Sequence, residues 1–86
     1  PNSADLYIQA AMCYRKSEAL EIAQDMLEMA KQLENGNPLL FRERGLLNQR
    51  LGNRAEALKN LNDYLGLSPN ALDRSEIETT IKSLGG

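Results

Sequence analysis

The residues of this chain that could do chemistry are few. Cys13 is its one cysteine, and the 86 residues include no histidine. A thiol nucleophile needs a base to take its proton, and imidazole is the commonest such base and the commonest metal ligand. Cys13 sits among Ala10, Ala11, Met12 and Tyr14, which reads as a small buried apolar side chain rather than a reactive thiol. There is no glycine-rich phosphate loop and no metal-ligand spacing. Acidic pairs such as Glu18 and Glu21 fit solvated helix surface. Neither catalysis nor a bound metal or cofactor is expected.

Composition narrows the classes further. A chain of 86 residues makes one small domain, burying roughly 60–65% of the surface its unfolded form exposes. A net charge of −2 leaves no basic footprint for nucleic acid. No apolar run approaches the roughly 18 residues that cross a bilayer, so no membrane partner is expected. A single cysteine cannot close an internal disulfide, which makes a reducing cytoplasmic setting the default.

The elements that position these residues are helices. Ser3 is placed to cap a first helix carrying Leu6, Tyr7, Ala10, Ala11 and Tyr14 on one stripe. Ser17 is placed to cap a second, with Leu20, Ala23, Leu27, Ala30 and Leu33. Gly36 suits a left-handed residue after it, and Pro38 suits the first turn of the next. The third helix is expected over 38–51, stopping at Gly52. Asn53 and Glu56 resemble a capping box for the fourth, which carries Ala57, Leu58, Leu61, Tyr64 and Leu65. Asp73 or Ser75 is expected to cap a fifth helix with Ile77, Ile81 and Leu84 on its stripe. The fold class is therefore all-α.

The chain also repeats. "PNSAD" at its start and "PNALD" at residue 69 share three of five letters. Shifting by 34 residues without a gap pairs Leu6 with Leu40, Tyr7 with Phe41, Ala11 with Gly45, Ala23 with Ala57 and Leu27 with Leu61. A shift of 38 would instead align the two "EAL" triplets, about one helical turn away. A 34-residue helix–turn–helix period resembles the tetratricopeptide repeat. Phe41, Gly45, Gly52, Ala57, Leu61 and Pro69 stand at that family's aromatic, small, turn, small, large and closing-proline positions. The first unit departs from the pattern at Glu18 (turn glycine) and Asn35 (proline), and the second at Tyr64 (alanine), where looser packing is expected.

The resemblance implies repeat one over 4–37, repeat two over 38–71 and a capping helix over 72–84, a fragment of a right-handed α-solenoid. A narrower likeness runs from Phe41 onward. "RERG" followed by "LG", "AL..L..YL.L.P" and "DRSEIETTIKSL" is similar to the tail of bacterial proteins that join a transglutaminase-like domain to a short repeat segment. That enzyme's Cys–His–carboxylate site cannot be built here without histidine.

In the repeat family the first helix of each pair lines the concave face, which implies a groove of Asp5, Ile8, Met12, Arg15 and Lys16 from unit one. Unit two would add Leu39, Arg42, Leu46, Gln49 and Arg50. Ile8 and Met12 replace the Lys and Asn of the family's carboxylate clamp, so that mode of binding is disfavoured. The expected function is a non-catalytic protein-interaction module taking a protein or peptide, acidic or amphipathic, between apolar positions and a basic rim. Solvated helix surface is the competing account of the cations, and packing against a neighbouring helix that of Ile8 and Met12. The alternative function is a structural appendage docked on the transglutaminase-like domain, and self-association through the first helix is a third. With no cap evident before the first helix, its outer face is expected to be covered by something outside these residues, the chain being part of a longer protein.

Overall fold

The structure, a computed structural model, describes residues 3–86. The "PN" pair at positions 1 and 2 lies outside the described residues. Five helices follow one another: α1 (Ser3–Lys16), α2 (Leu20–Leu33), α3 (Pro38–Leu51), α4 (Arg54–Leu67) and α5 (Arg74–Ser83). There is no strand among the described residues, and no helix is long and apolar enough to cross a membrane. This is the all-α helical-repeat architecture expected from the sequence.

The 34-residue period is written in the backbone. α2 and α4 begin and end 34 positions apart. The turn before each contains a left-handed residue, Glu18 (φ 66°) in one and Gly52 (φ 82°) in the other. Glycine takes that conformation freely; for Glu18 it costs about 1–2 kcal/mol. A shift of 38 would match none of these features.

Several helix starts differ from expectation. Ser17 does not cap α2; its hydroxyl donates to the Tyr14 carbonyl at the end of α1 (3.1 Å), and Ala19 holds the cap position without a side-chain bond. Asn53 precedes α4 but donates to Asn48 Oδ1 (3.1 Å) instead of capping. Asp73 precedes α5, yet its carboxylate is engaged by Tyr64 and Arg42. Gly36 is not left-handed; α2 ends through the extended Glu34 (φ −157°). Asn37 makes the one side-chain cap of α2–α5, its Oδ1 accepting from Leu39 N (2.9 Å) beside Pro38 in the first turn.

Two apolar clusters hold the helices together. The first joins Ile8, Ala11, Ala23, Leu27, Ala30, Leu40 and Leu47, bringing α3 onto the α1–α2 pair. The second joins Leu61, Tyr64 and Ile77, seating α5 on α4. Between them α3 meets α4 at Gly45, where a Cβ would lie 2.5 Å from Leu61 Cδ2. Tyr64 is buried in the second cluster, so the departure from alanine tightens the packing there. Leu6, Tyr14 and Leu33, all assigned to apolar stripes, are exposed.

Candidate functional site: a groove over a buried ion-pair chain

Leu40, Glu43 and Leu47 are three and four residues apart on α3, which turns all three to one face. That face packs against the first repeat, and Glu43 is only 1% exposed. Stripping water from a carboxylate costs several kcal/mol unless counter-charges replace it. Here two arginines do so. Arg15 Nε of α1 donates to Glu43 Oε1 at 3.3 Å, and Arg42 Nε lies 3.2 Å from Oε2. Arg42 also pairs with Asp73 Oδ2 at 3.4 Å, and the Tyr64 hydroxyl donates to Asp73 Oδ1 at 2.6 Å. The chain Arg15–Glu43–Arg42–Asp73–Tyr64 thereby ties together α1, α3, α4 and the entry to α5. Its net contribution to stability is small, because desolvation offsets most of the attraction. Burial, then the hydrogen bond and the charge of Asp73, push the Tyr64 phenol up to about 12, with Arg42 opposing. Glu43 Oε2 and Arg42 Nε are both buried without a hydrogen bond of proper geometry.

Two depressions lie over this chain. One, of about 300 Å³, runs between α1 and α3 and is lined by Asp5, Ile8, Gln9, Met12, Cys13, Leu39, Arg42 and Glu43. The other, of about 520 Å³, lies between α3, the end of α4 and the start of α5; Leu39, Arg42, Tyr64, Leu72, Asp73 and Glu76 are among its walls. Leu39 and Arg42 belong to both, so the two form one interrupted groove. Among the described residues no group of three or more His, Cys, Asp or Glu side chains could hold a metal ion.

Such a stack of paired helices with a 34-residue backbone period has a sequence counterpart. The family model described as tetratricopeptide repeat matches residues 10–82. The chain belongs to the tetratricopeptide-repeat family. Tetratricopeptide repeats generally mediate protein–protein interaction and are typically non-catalytic. No curated protein and no solved structure gives a significant match, and the narrower likeness to a transglutaminase-associated tail receives no support from these comparisons.

The tetratricopeptide groove positions inferred from the sequence do not all meet. Asp5, Ile8, Met12, Leu39 and Arg42 converge on the α1–α3 depression. Ile8, however, is buried in the first cluster and forms only its floor. Arg15, Lys16, Leu46, Gln49 and Arg50 line neither depression. Leu46 packs against the second cluster, and Lys16 is exposed at the end of α1. Arg50 pairs with Glu18, whose hydrogen bond and charge raise the guanidinium's pKa. The basic rim is therefore largely consumed inside the molecule, since Arg15, Arg42 and Arg50 each face a carboxylate of this chain. Cys13 is exposed at the groove's edge rather than buried, because no helix of the described chain covers that side of α1.

Sequence reasoning missed Glu43, although the Leu40–Glu43–Leu47 spacing was a usable signal. It also missed the amide pair in which the half-buried Asn48 Nδ2 donates to the buried Asn60 Oδ1 at 2.9 Å between α3 and α4.

Proposed function

We propose that this chain is a protein-interaction module that holds an amphipathic peptide or helix in the groove over Leu39 and Arg42. The observation carrying this reading is Leu39. It is 41% exposed, yet it stands at the junction of two depressions floored by buried side chains. A large apolar side chain held open between concave walls is the arrangement that anchors a partner's apolar residue. The engagement of Arg15, Arg42 and Arg50 by internal carboxylates speaks against a purely acidic ligand, which would have to displace those bonds.

The test is selection of displayed peptides against the chain, with amide shifts mapping where the winners bind. Leu39→Glu should weaken selected peptides by about tenfold or more, the scale of losing an interface anchor, while leaving thermal stability unchanged. Peptides that map elsewhere, or that ignore the substitution, would remove the groove from consideration.

A second reading, docking of α1 on an adjoining domain, is favoured by the outer face of that helix. Leu6 is 61% exposed, whereas Leu40, its counterpart 34 residues on, is 0% exposed beneath the first repeat. In any longer protein carrying this chain, hydrogen exchange should then slow along α1; unaltered exchange would eliminate the docking.

A further inference from the structure

We infer that the end of the stack formed by α1 and α2 docks against a helix of another domain, which meets it through an uncharged, apolar face. The inference rests on the second reading above and gives its partner a chemistry. In the repeat register Leu40 and Leu47 of α3 correspond to Leu6 and Cys13 of α1. The α3 pair is buried in one cluster with Leu27 and Ala30 of α2. Leu6 and Cys13 are exposed, since no helix holds the matching place over α1 among the described residues. The packing of repeat on repeat inside the molecule shows what fits that place: a helix lying on α1 as α2 lies on α3.

α2 sets the chemistry. On α4, Glu56 lines a depression with Gln24, Leu27 and Glu28 of α2, so that side of α4 faces the preceding repeat. On α2 the matching positions are Ile22 for Glu56 and Met29 for Asp63, and Leu33 continues the stripe one turn on. All three are exposed. Where repeat already packs on repeat, this side carries carboxylates; where nothing covers it, it carries isoleucine and methionine. Water as the neighbour would favour the reverse, as at the far end of the stack, where α5 exposes Ser75, Glu78, Thr79 and Lys82. Neither Leu6–Ala10–Cys13 nor Ile22–Met26–Met29–Leu33 includes a charged residue. Exposed apolar surface on two adjacent helices marks an interaction site, and the centres of such sites are depleted of charge. A partner helix carrying α2's own Gln24 and Glu28 on its docking face would bury them here without partners.

The probes are two acetylated, amidated peptides with the α2 sequence Leu20–Leu33, both made soluble by Ile22→Gln, Met29→Gln and Leu33→Gln. One adds Gln24→Leu and Glu28→Leu; its polar twin keeps Gln24 and Glu28. Each is titrated to millimolar concentration into the labelled protein. The apolar peptide should shift the amides of Leu6, Ala10, Cys13, Ile22 and Met29 and bind at least about tenfold tighter than its twin, roughly the transfer of one leucine side chain. Giving α2 of the protein the residues that α4 carries, Ile22→Glu with Met29→Asp, should erase that preference. Both positions are exposed, so an unchanged thermal midpoint confirms that the variant is folded. Equal affinity of the two peptides, a preference that survives the double substitution, or no shift at millimolar peptide would each overturn the inference. So would shifts of the same amides on concentrating the protein alone, which would name a second copy as the cover. Exchange along α1 that slows in a longer protein, with no preference between the peptides, would keep the docking and discard only the uncharged helix.

Discussion

Tyr64 occupies the position at which the first repeat has Ala30, and the exchange changes both size and chemistry. The ring enlarges the second cluster, and its hydroxyl reaches Asp73 at 2.6 Å. A phenol beside a carboxylate in a poorly solvated site resists ionisation, so its pKa rises from the ordinary value of about 10 to about 12. The native state then keeps a proton that the unfolded chain releases. The stability linked to Tyr64 is fully present below pH of about 10 and is lost as pH climbs through about 12. Urea midpoints measured across that window should fall more steeply for the parent chain than for Tyr64→Phe. Parallel slopes would show that the phenol is not linked to folding. The link to Asp73 was not legible in the sequence, where Tyr64 registered as a stripe position of the fourth helix and as a departure from a small residue. Glu43 was nearly legible: its spacing from Leu40 and Leu47 placed a carboxylate on a buried face. What its two partners would be depended on how α1 lies against α3, and one helix stripe does not encode that.

At the scale of elements, the sequence located the helices well and their caps poorly. Apolar stripes at three- and four-residue spacing persist over several turns, so they survive a single contrary residue. A cap is one side chain with several possible partners. Ser17, Asn53 and Asp73 had suitable chemistry at suitable positions, but each found a partner elsewhere: Tyr14, Asn48, and the Arg42–Tyr64 pair. Asn37, which sequence reading passed over, accepts from Leu39 N and donates to Asp5 and Glu34. It therefore both starts α3 and pins that start to α1. Asn37→Ala should cost about 1–2 kcal/mol, the upper range for losing a cap, whereas Ser17→Ala should cost less than about 0.5 kcal/mol. Chemical denaturation of the two variants side by side checks the assignment. Equal losses would mean that Ser17 contributes as much as a true cap.

At the scale of the whole molecule the repeat was the most legible feature, yet its letter matches misjudged burial. Alignment by 34 pairs Leu6 with Leu40 as like residues, although burial depends on what stacks against each. α3 has α1 and α2 over it, and Leu40 is fully buried in the first cluster. The matching side of α1 has no helix over it among the described residues, so Leu6 and Cys13 face outward. Chemically identical truncations should therefore differ sharply. Leu40→Ala opens a cavity in a packed core and should cost about 2–5 kcal/mol. Leu6→Ala removes carbons that already touch water and should change stability by no more than about 0.5 kcal/mol. Denaturation midpoints of the two variants, compared at equal slope, decide the matter. Similar losses would mean that the face of α1 is already covered in solution, and a midpoint rising with protein concentration would identify the cover as a second copy of the chain. An assembly that covers this face should raise the cost at Leu6 toward that at Leu40, which makes this pair of leucines a gauge of whether the stack continues past α1.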